Sequence, residues 1–298
     1  MFDTFKNRLE ITGTLWTVTA LRISAGRSLE PIGSDLPVIK DALGRPLIPG
    51  SSFKGALRSR LESFLRGIFS DRHNDENLRH FVANPADEKE WSITATEMRQ
   101  IKEEEENKKD DRKLTQAIVD RTDLVSKLFG SPWLASKFQV RDLSVQEGYW
   151  FGQYQERDGV AIDRDTETAA DGKLYDFQVV PAGTPFDFKA VVENAEDWEL
   201  GMLMVGLHQF ETEQIPLGGG RSRGLGVVKL DIEAMNWIDV EGHPEFLLDY
   251  LQKLVREDQS AYEDAKDYKD QWVRKFIDEL EQRRQTQSQQ LQETDSPS

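Results

Sequence analysis

Two glycine-rich, basic segments are the parts of this chain best suited to holding a phosphate. In the first, PLIPGSSFKGALRSRL, Gly50, Ser51 and Ser52 precede a run with helical apolar spacing. Free backbone N–H groups and the positive dipole end of a helix start form an anion site. Lys54 and Arg58 lie four residues apart and share a helix face. The pattern predicts contact with a phosphate backbone, and an ordinary capped helix with solvated basic side chains is the alternative.

The second segment, PLGGGRSRGLG, is called the Gly-rich loop below and spans residues 216–226. Consecutive glycines permit close backbone approach and positive φ angles, and two guanidinium groups suit phosphate. The segment lacks the ending of a Walker loop, and a strand rather than a helix follows it. A tight turn with exposed arginines is the alternative interpretation. The candidate phosphate-binding residues here are Gly218, Gly219, Gly220, Arg221, Ser222 and Arg223.

A carboxylate in the long Gly/Pro-rich loop of residues 25–50 is a candidate for chemistry. The stretch SDLPVIKD carries Asp35 and Asp41, with Lys40 beside the second. A carboxylate can position a nucleophile, act as a base or hold Mg²⁺. Most loop aspartates, however, only stabilise turns, so this signal alone is poor. The serine and lysine of SSFK lack the partner motifs of penicillin-binding enzymes, and the scattered histidines match no zinc motif.

Composition excludes several classes of function. The 298 residues include no cysteine, so disulfides, thiol nucleophiles, cysteine zinc sites and iron–sulfur clusters are excluded. A hydrophobic content of 38% is sufficient for a folded core. Apolar runs fall short of the roughly 20 residues that span a bilayer, and no signal peptide is visible. We therefore expect a soluble, intracellular protein.

The charge is acidic overall but unevenly distributed. There are 38 Lys and Arg against 54 Asp and Glu, a formal net charge of -16. Residues 1–70 hold 10 basic and 6 acidic residues, a net of +4, whereas residues 231–298 hold 8 and 17, a net of -9. An acidic total argues against broad, non-specific binding of nucleic acid. A local basic groove remains compatible with it.

Hydrophobic periodicity predicts an α+β protein. The order of strand, helix, strands, helix, Gly-rich loop and strand is compatible with a sandwich of the ferredoxin or RRM type. Ser51 or Ser52 is the predicted N-cap of the first helix. The predicted strands are 9–24, 138–146, 175–192 and 226–235, and the predicted helices are 51–69, 196–210 and a series beginning near 245.

Composition also divides the chain into regions. The predicted core consists of residues 1–69 and 128–235, which have ordered composition. Between them, residues 70–127 include KEEEENKKDDRK and lack sustained apolar periodicity, so we expect a solvated, charged insertion with some helix. A helical extension is predicted for 236–284, and a disordered tail for the Gln/Ser-rich 285–298.

Four stretches resemble, in order, the backbone subunits of type III CRISPR effector complexes, which belong to the RAMP superfamily. They are SDLPVIKDALGRPLIPGSSFKGALRSRLE, LFG followed by FQVRDLSV, VAIDRDTETAADGKLYDFQVVPAGTPFDF, and LGGGRSRGLGVVKL. The resemblance covers about residues 8–69 and 128–232. Glycine-rich loops are common among RAMP proteins, whereas the joint order of all four stretches is specific.

The resemblance implies an RRM-like palm with a thumb β-hairpin at about residues 146–180. Such subunits line up along a guide CRISPR RNA, and the thumb props one nucleotide out of the duplex with target RNA. The target is cut opposite each flipped position. By position, Asp35 is the implied catalytic residue, with Mg²⁺ or another divalent cation. The target's own 2′-hydroxyl would attack in line and leave a cyclic phosphate.

The resemblance also assigns residues to RNA and names partners. Guide phosphates would be held by Lys54, Arg58, Arg221 and Arg223 and by the backbone amides of residues 50–52 and 218–220. Ile162 and Arg164 would wedge the duplex. Arg22 stands where the family often has histidine, and it can still hold phosphate. Expected partners are guide RNA, target RNA, neighbouring RAMP subunits and the large polymerase/cyclase-like subunit, in the cytoplasm of a prokaryote and away from membranes.

Three other functions stay open from the sequence. The chain could be a non-catalytic scaffold of the same assembly, in which Asp35 is only a loop residue. It could be a guide-processing RAMP nuclease, although no histidine-centred site is evident. It could also be a metabolic enzyme that binds a nucleotide with its glycine-rich loops. Replacing Asp35 with alanine separates cleavage from scaffolding.

Overall fold

A computed structural model describes residues 4–26, 35–70, 75–108, 110–162 and 169–294. The strands are β1 (Asn7–Thr17), β2 (Leu47–Ile48), β3 (Phe138–Val140), β4 (Leu143–Ser144), β5 (Gln155–Ile162), β6 (Ala169–Val179), β7 (Pro185–Glu193), β8 (Val228–Asp239) and β9 (Glu263–Asp264). The α-helices are α1 (Gly50–Phe69), α2 (Ala95–Lys108), α3 (Asp111–Arg121), α4 (Leu124–Phe129), α5 (Asp197–Glu211), α6 (Pro244–Val255) and α7 (Lys269–Thr294).

The main sheet, called the palm sheet, has the strand order β3-β7-β1-β8-β9, and the paired neighbours are antiparallel. Strand β1 lies in the middle of the sheet, and Leu9, Ile11 and Leu15, which share one face of it, are fully buried. With α1 after β1 and α5 after β7, the connectivity of β1, β3, β7 and β8 is that of a split βαβ fold. The predicted RRM-like α+β class is confirmed.

Helices α1 and α5 pack together beneath this sheet. The four-residue spacing of Phe53, Leu57 and Leu61 puts these apolar side chains on one buried stripe of α1. The ring of Phe53 lies 5.0 Å from that of Phe188 on β7 and 4.3 Å from that of Phe210 on α5. These aromatic contacts join both helices to the sheet and hold the start of α1 in place.

The predicted strand at 175–192 is two strands that belong to different sheets. Strand β6 pairs with β5 in a separate hairpin, whereas β7 joins the palm sheet. Between them Gly183 has a φ of +78°, and its N–H donates to the carbonyl of Thr17 at 2.6 Å. The β5–β6 hairpin, called the thumb, lies within the interval that the resemblance assigned to one.

The C-terminal region completes the core instead of extending beyond it. Trp272, Phe276 and Leu280 of α7 are buried in the main hydrophobic cluster. Gly201 on α5 permits this contact, because a Cβ there would overlap with the backbone of Trp272. Helix α7 continues to Thr294, so the prediction of disorder is wrong for residues 285–294. Because the earlier part of α7 is packed against the core, adding further helical turns to it is favourable, and composition alone does not predict this.

The insertion contains helices, as predicted, and it also has an apolar cluster of its own. Ile93, Met98 and Ile101 are buried in a small apolar cluster, against which Leu114 and Trp133 pack. The contributing residues come from separate segments, so no single stretch shows sustained periodicity. Among the described residues, no helix combines the length and apolar character that a membrane crossing requires.

Candidate functional site

Asp35 lies at the base of the thumb. Its backbone N–H donates to Oδ1 of Asp176 on β6 at 2.7 Å, and its side chain is exposed. The next residue, Leu36, forms a parallel bridge with Phe177, and the N–H of Gln178 donates to the carbonyl of Leu36 at 3.1 Å. The loop of residues 35–41, called the Asp35 loop, is therefore joined to the thumb at the candidate catalytic residue.

Asp176 was not among the site residues predicted from sequence. It is separated from Asp35 by 141 positions, and no local spacing connects the two. Asp176 does lie within the stretch VAIDRDTETAADGKLYDFQVVPAGTPFDF, which resembles the family, and that stretch is the sequence signal for this part of the thumb.

A divalent cation fits this position only if RNA supplies further ligands. Asp176 lies beside Asp35 and directly opposite Asp158 across the thumb hairpin. Within the described ranges, however, no three acidic or imidazole side chains are grouped closely enough to hold a metal ion. Mg²⁺ is commonly held by one or two carboxylates together with substrate phosphates. The exposed carboxylate of Asp35 matches that protein share of the ligands.

The Gly-rich loop packs against the segment that follows β1. The N–H of Gly219 donates to the carbonyl of Arg22 at 2.8 Å, and the N–H of Gly226 donates to that of Ala20 at 2.9 Å. At Gly218, with φ +72°, a Cβ would overlap with the Arg22 carbonyl. The predicted close backbone approach is present, but its partner is the chain itself. The Gly219 amide is therefore not free for phosphate, which corrects the prediction.

The tip of the Gly-rich loop presents the arginines. Arg221, Ser222 and Arg223 form an exposed 3₁₀ turn after Gly220, which has a φ of +78°. Nε of Arg221 donates to the carbonyl of Gly218 at 3.2 Å. A guanidinium carries five N–H donors, so both arginines retain capacity for phosphate. Their role in RNA binding stays a prediction that this exposure favours.

Arg22 connects the loop to the thumb. Its guanidinium lies 4.6 Å from the ring centroid of Phe177, and its buried Nε has no hydrogen-bond partner among the described residues. Ala20, Phe177 and Leu225 form an apolar cluster here, with Leu36 packed against it. The Asp35 loop, the thumb base and the Gly-rich loop therefore meet at one place.

Lys54 and Arg58 make their hydrogen bonds with segments outside this site. Nζ of Lys54 donates to Oγ of Ser136 at 2.7 Å and to the carbonyl of Phe138 at 3.3 Å. Burial, followed by the nearby charge of Arg58, lowers the pKa of Lys54 below its usual value. Their shared helix face is as predicted, but it packs on the segment before and within β3.

Arg58 is used inside the fold. Its Nε donates to Glu62 at 2.7 Å, Nη1 to the carbonyl of Gly130 at 2.9 Å, and Nη2 to Oγ of Ser126 at 3.0 Å. All three nitrogens are thus engaged with the chain itself. The predicted role in holding guide phosphate is not supported by this geometry, which indicates a structural role.

The start of α1 is also occupied. The N-cap is Pro49, not a serine, and the N–H of Ser52 donates to its carbonyl at 2.9 Å. The N–H of Gly50 donates to Oδ1 of Asp142 at 2.8 Å. A carboxylate of the chain therefore takes the place predicted for phosphate at Gly50, which corrects that prediction. Ser51 is exposed, and its contact with RNA stays a prediction.

Ile162 and Arg164 were predicted to lie in the thumb. Ile162 is the last residue of β5, where its backbone pairs with Ala169. Arg164 lies outside the described residues. Their predicted role as a wedge in the RNA duplex is untested.

Comparison with known proteins supplies the family. A family model described as the RAMP superfamily matches residues 14–229. The chain is 23% identical over 234 residues to the CRISPR system Cms endoribonuclease Csm3 of Enterococcus italicus, covering 78% of this chain and 94% of that protein. It is 26% identical over 240 residues to the protein of the same name in Methanocaldococcus jannaschii, covering 76% and 79%.

A shorter match has a higher sequence identity. Over 56 residues the chain is 50% identical to the Csm3 endoribonuclease of Mycobacterium tuberculosis, which covers 18% of this chain and 24% of that protein. The family match spans the end of β1, the Asp35 loop, the thumb and the Gly-rich loop. The resemblance inferred from four ordered motifs is confirmed, and the chain belongs to the RAMP superfamily.

Proposed function

We propose that this chain is a guide-RNA-binding backbone subunit of a type III CRISPR complex, and that it cleaves complementary target RNA at the flipped nucleotide. The observation that carries the proposal is the exposed Asp35 at the thumb base, beside the Gly-rich loop. The names of the relatives, Csm3 endoribonucleases, support the same activity.

The guide RNA is held by the arginines that lie where the Asp35 loop, the thumb base and the Gly-rich loop meet. Arg221 and Arg223 at the exposed loop tip, together with Arg22 beneath the thumb, contact phosphates and fix the register of the strand. Sequence is then read by base pairing between guide and target, as in RNA-guided recognition of DNA. Because the chain is acidic overall, it repels RNA except at this local basic surface.

Cleavage takes place on the target strand next to Asp35. The 2′-oxygen of the target attacks the adjacent phosphorus, the bond to the 5′-oxygen breaks, and a 2′,3′-cyclic phosphate and a 5′-hydroxyl result. The Asp35 carboxylate orients the attacking hydroxyl, and the thumb unpairs the nucleotide so that in-line geometry is reached. A divalent cation held by Asp35 together with RNA phosphates would offset negative charge on the scissile phosphate.

The assembly contains further subunits. Neighbouring RAMP subunits continue the filament along the guide, and the large polymerase/cyclase-like subunit completes the complex in the prokaryotic cytoplasm. Because the family match ends at residue 229, helices α6 and α7 are features of this chain beyond the matched region.

The test compares purified complexes that contain wild-type, Asp35→Ala or Glu103→Ala chains. Glu103 is an exposed carboxylate on α2 and serves as the matched control. We expect all three complexes to retain a guide RNA of defined length, and only Asp35→Ala to lose cleavage at the position of this subunit. Cleavage that persists in Asp35→Ala would favour the scaffold hypothesis. Absence of any retained RNA, with mononucleotide binding, would favour the metabolic alternative.

A further inference from the structure

The thumb strand β6 holds the Asp35 loop through one side chain. The carboxylate of Asp176 accepts the backbone N–H of Asp35 at 2.7 Å. Hydrogen bonds from a main-chain N–H to an ionised carboxylate are shorter and stronger than neutral ones. This contact reaches the candidate catalytic residue itself, whereas the other contacts of the loop lie one or more residues further on.

The hydrogen bonds that hold the next residues of the loop, 36–39, are between main-chain atoms. The N–H of Ala25 donates to the carbonyl of Pro37 at 3.0 Å, and that of Ile39 donates to the carbonyl of Ile23 at 2.9 Å. They hold residues 37–39 against the segment that follows β1. A substitution at Asp176 can therefore release the backbone of Asp35 while the rest of the loop stays paired.

We propose that Asp176 is a positioning residue for RNA cleavage, holding the main chain of Asp35 so that its carboxylate faces the scissile bond. The inference rests on the proposed function. Asp176 acts through Asp35, and it needs only an oxygen acceptor for this role. Because Asp176 belongs to β6, a displacement of the thumb by target RNA is transmitted directly to the Asp35 loop. Cleavage is thereby coupled to correct seating of the duplex against the thumb.

The first test measures single-turnover cleavage of target RNA by complexes that carry Asp176→Ala or Asp176→Asn. The alanine variant should cut at least about 10-fold more slowly with target affinity unchanged, because small misplacements of a reacting group reduce rates strongly. The asparagine variant keeps an oxygen acceptor and should stay within about 3-fold of wild type. Glu156→Ala, an exposed change on the opposite thumb strand, is the matched control.

Two outcomes overturn the proposal. If Asp176→Asn is as slow as Asp176→Ala, the negative charge is required and Asp176 acts on RNA or a cation directly. If Asp176→Ala cuts at the wild-type rate, the contact with Asp35 has no role in positioning. Should the alanine variant fail to fold, Asp176→Val removes the acceptor while favouring the strand conformation.

A second measurement does not depend on activity. Hydrogen exchange of the full-length chain without RNA reports the N–H of Asp35 and its neighbours. We expect this amide to exchange at least about 10-fold faster in Asp176→Ala than in wild type or Asp176→Asn, while residues 37–39 stay protected. Equal exchange in all three proteins contradicts the positioning role. If the Asp35 amide exchanges faster in Asp176→Ala as expected, but the wild-type complex does not cleave target RNA, the proposed function is refuted instead.

Discussion

Nη1 of Arg223 in the Gly-rich loop donates a hydrogen bond to the hydroxyl of Tyr175 on β6 at 2.9 Å. This hydrogen bond is the main cause that lowers the pKa of Tyr175 below its ordinary value. Tyr175 lies over Gly159 on the opposite thumb strand, where any Cβ would overlap with its ring. The loop tip and the thumb are thus joined on the exposed side of the site, where the guide strand is proposed to lie.

Replacing Arg223 with alanine should weaken guide RNA binding by about 3- to 10-fold. One phosphate contact is lost, so the slope of log affinity against log salt should fall by about 0.7 for a single strand. Affinity titrations of the full chain with guide RNA at several salt concentrations measure both quantities. Lys113→Ala removes one exposed positive charge on α3 and should leave the slope unchanged. Equal slopes for wild type and Arg223→Ala would exclude a phosphate contact.

Replacing Arg58 with alanine should destabilise the fold and leave the salt dependence of RNA binding unchanged. The substitution removes three internal hydrogen bonds and leaves Glu62 buried with a weaker partner in Arg66, at 3.4 Å. The expected loss is about 2–4 kcal/mol, because an uncompensated buried charge is costly. Urea unfolding measures it, with Ser63→Ala, a change at an exposed position of the same helix, as control. If Arg58→Ala has a normal unfolding midpoint but a reduced salt dependence of RNA binding, the prediction that Arg58 holds guide phosphate would be supported instead.

Gly201 and Gly55 should respond oppositely to alanine. At Gly201 a Cβ overlaps with the main chain of Trp272, so α5 and α7 must separate. Overpacking of this kind destabilises by about 1–3 kcal/mol. At Gly55, on the exposed side of α1, a Cβ meets no atom within 4 Å, and alanine should stabilise the helix by about 0.5–1 kcal/mol. Denaturant midpoints compare the two, and a neutral Gly201→Ala would show that α7 is not closely packed in solution.

The amides of the insertion should lose protection from hydrogen exchange at low pH, because Glu97 becomes protonated there. The hydrogen bond from Arg79, followed by those from Thr94, lowers the pKa of Glu97 to about 2. A lowered carboxyl pKa stabilises the folded state above the unfolded value of about 4.5, and that contribution disappears as the pH falls towards 2. Hydrogen exchange of α2 amides, corrected for intrinsic rates, should show protection declining over this range.

The Glu97→Gln variant should show weaker protection at neutral pH and a flatter acid dependence. Glu103→Gln changes an exposed carboxylate on the same helix and should follow wild type. If Glu97→Gln retains the full acid dependence, the interaction between Arg79 and Glu97 does not stabilise the insertion.

Motifs and local periodicity were sufficient for the family and much of the architecture. The stripe of Phe53, Leu57 and Leu61 predicts α1 because helical spacing is a local property. The glycines of the Gly-rich loop predict a close backbone approach because only glycine permits it at Gly218. Pro181, Gly183 and Pro185 mark a turn within the predicted strand, but the separate sheets that its two halves join are set by tertiary pairing.

The sequence alone determined the α+β class, the phosphate-suited residue types and the candidate carboxylate at Asp35. Tertiary structure decided which of these groups are available. Arg58 is used by Gly130 and Ser126, whereas Arg223 remains at an exposed loop tip. The physical reason is that the charge of a side chain and the spacing of a helical stripe are local properties, which depend only on a residue and its neighbours in sequence. The partner that occupies each hydrogen-bonding group comes from segments that only folding brings close, as with Asp35 and its acceptor 141 positions away.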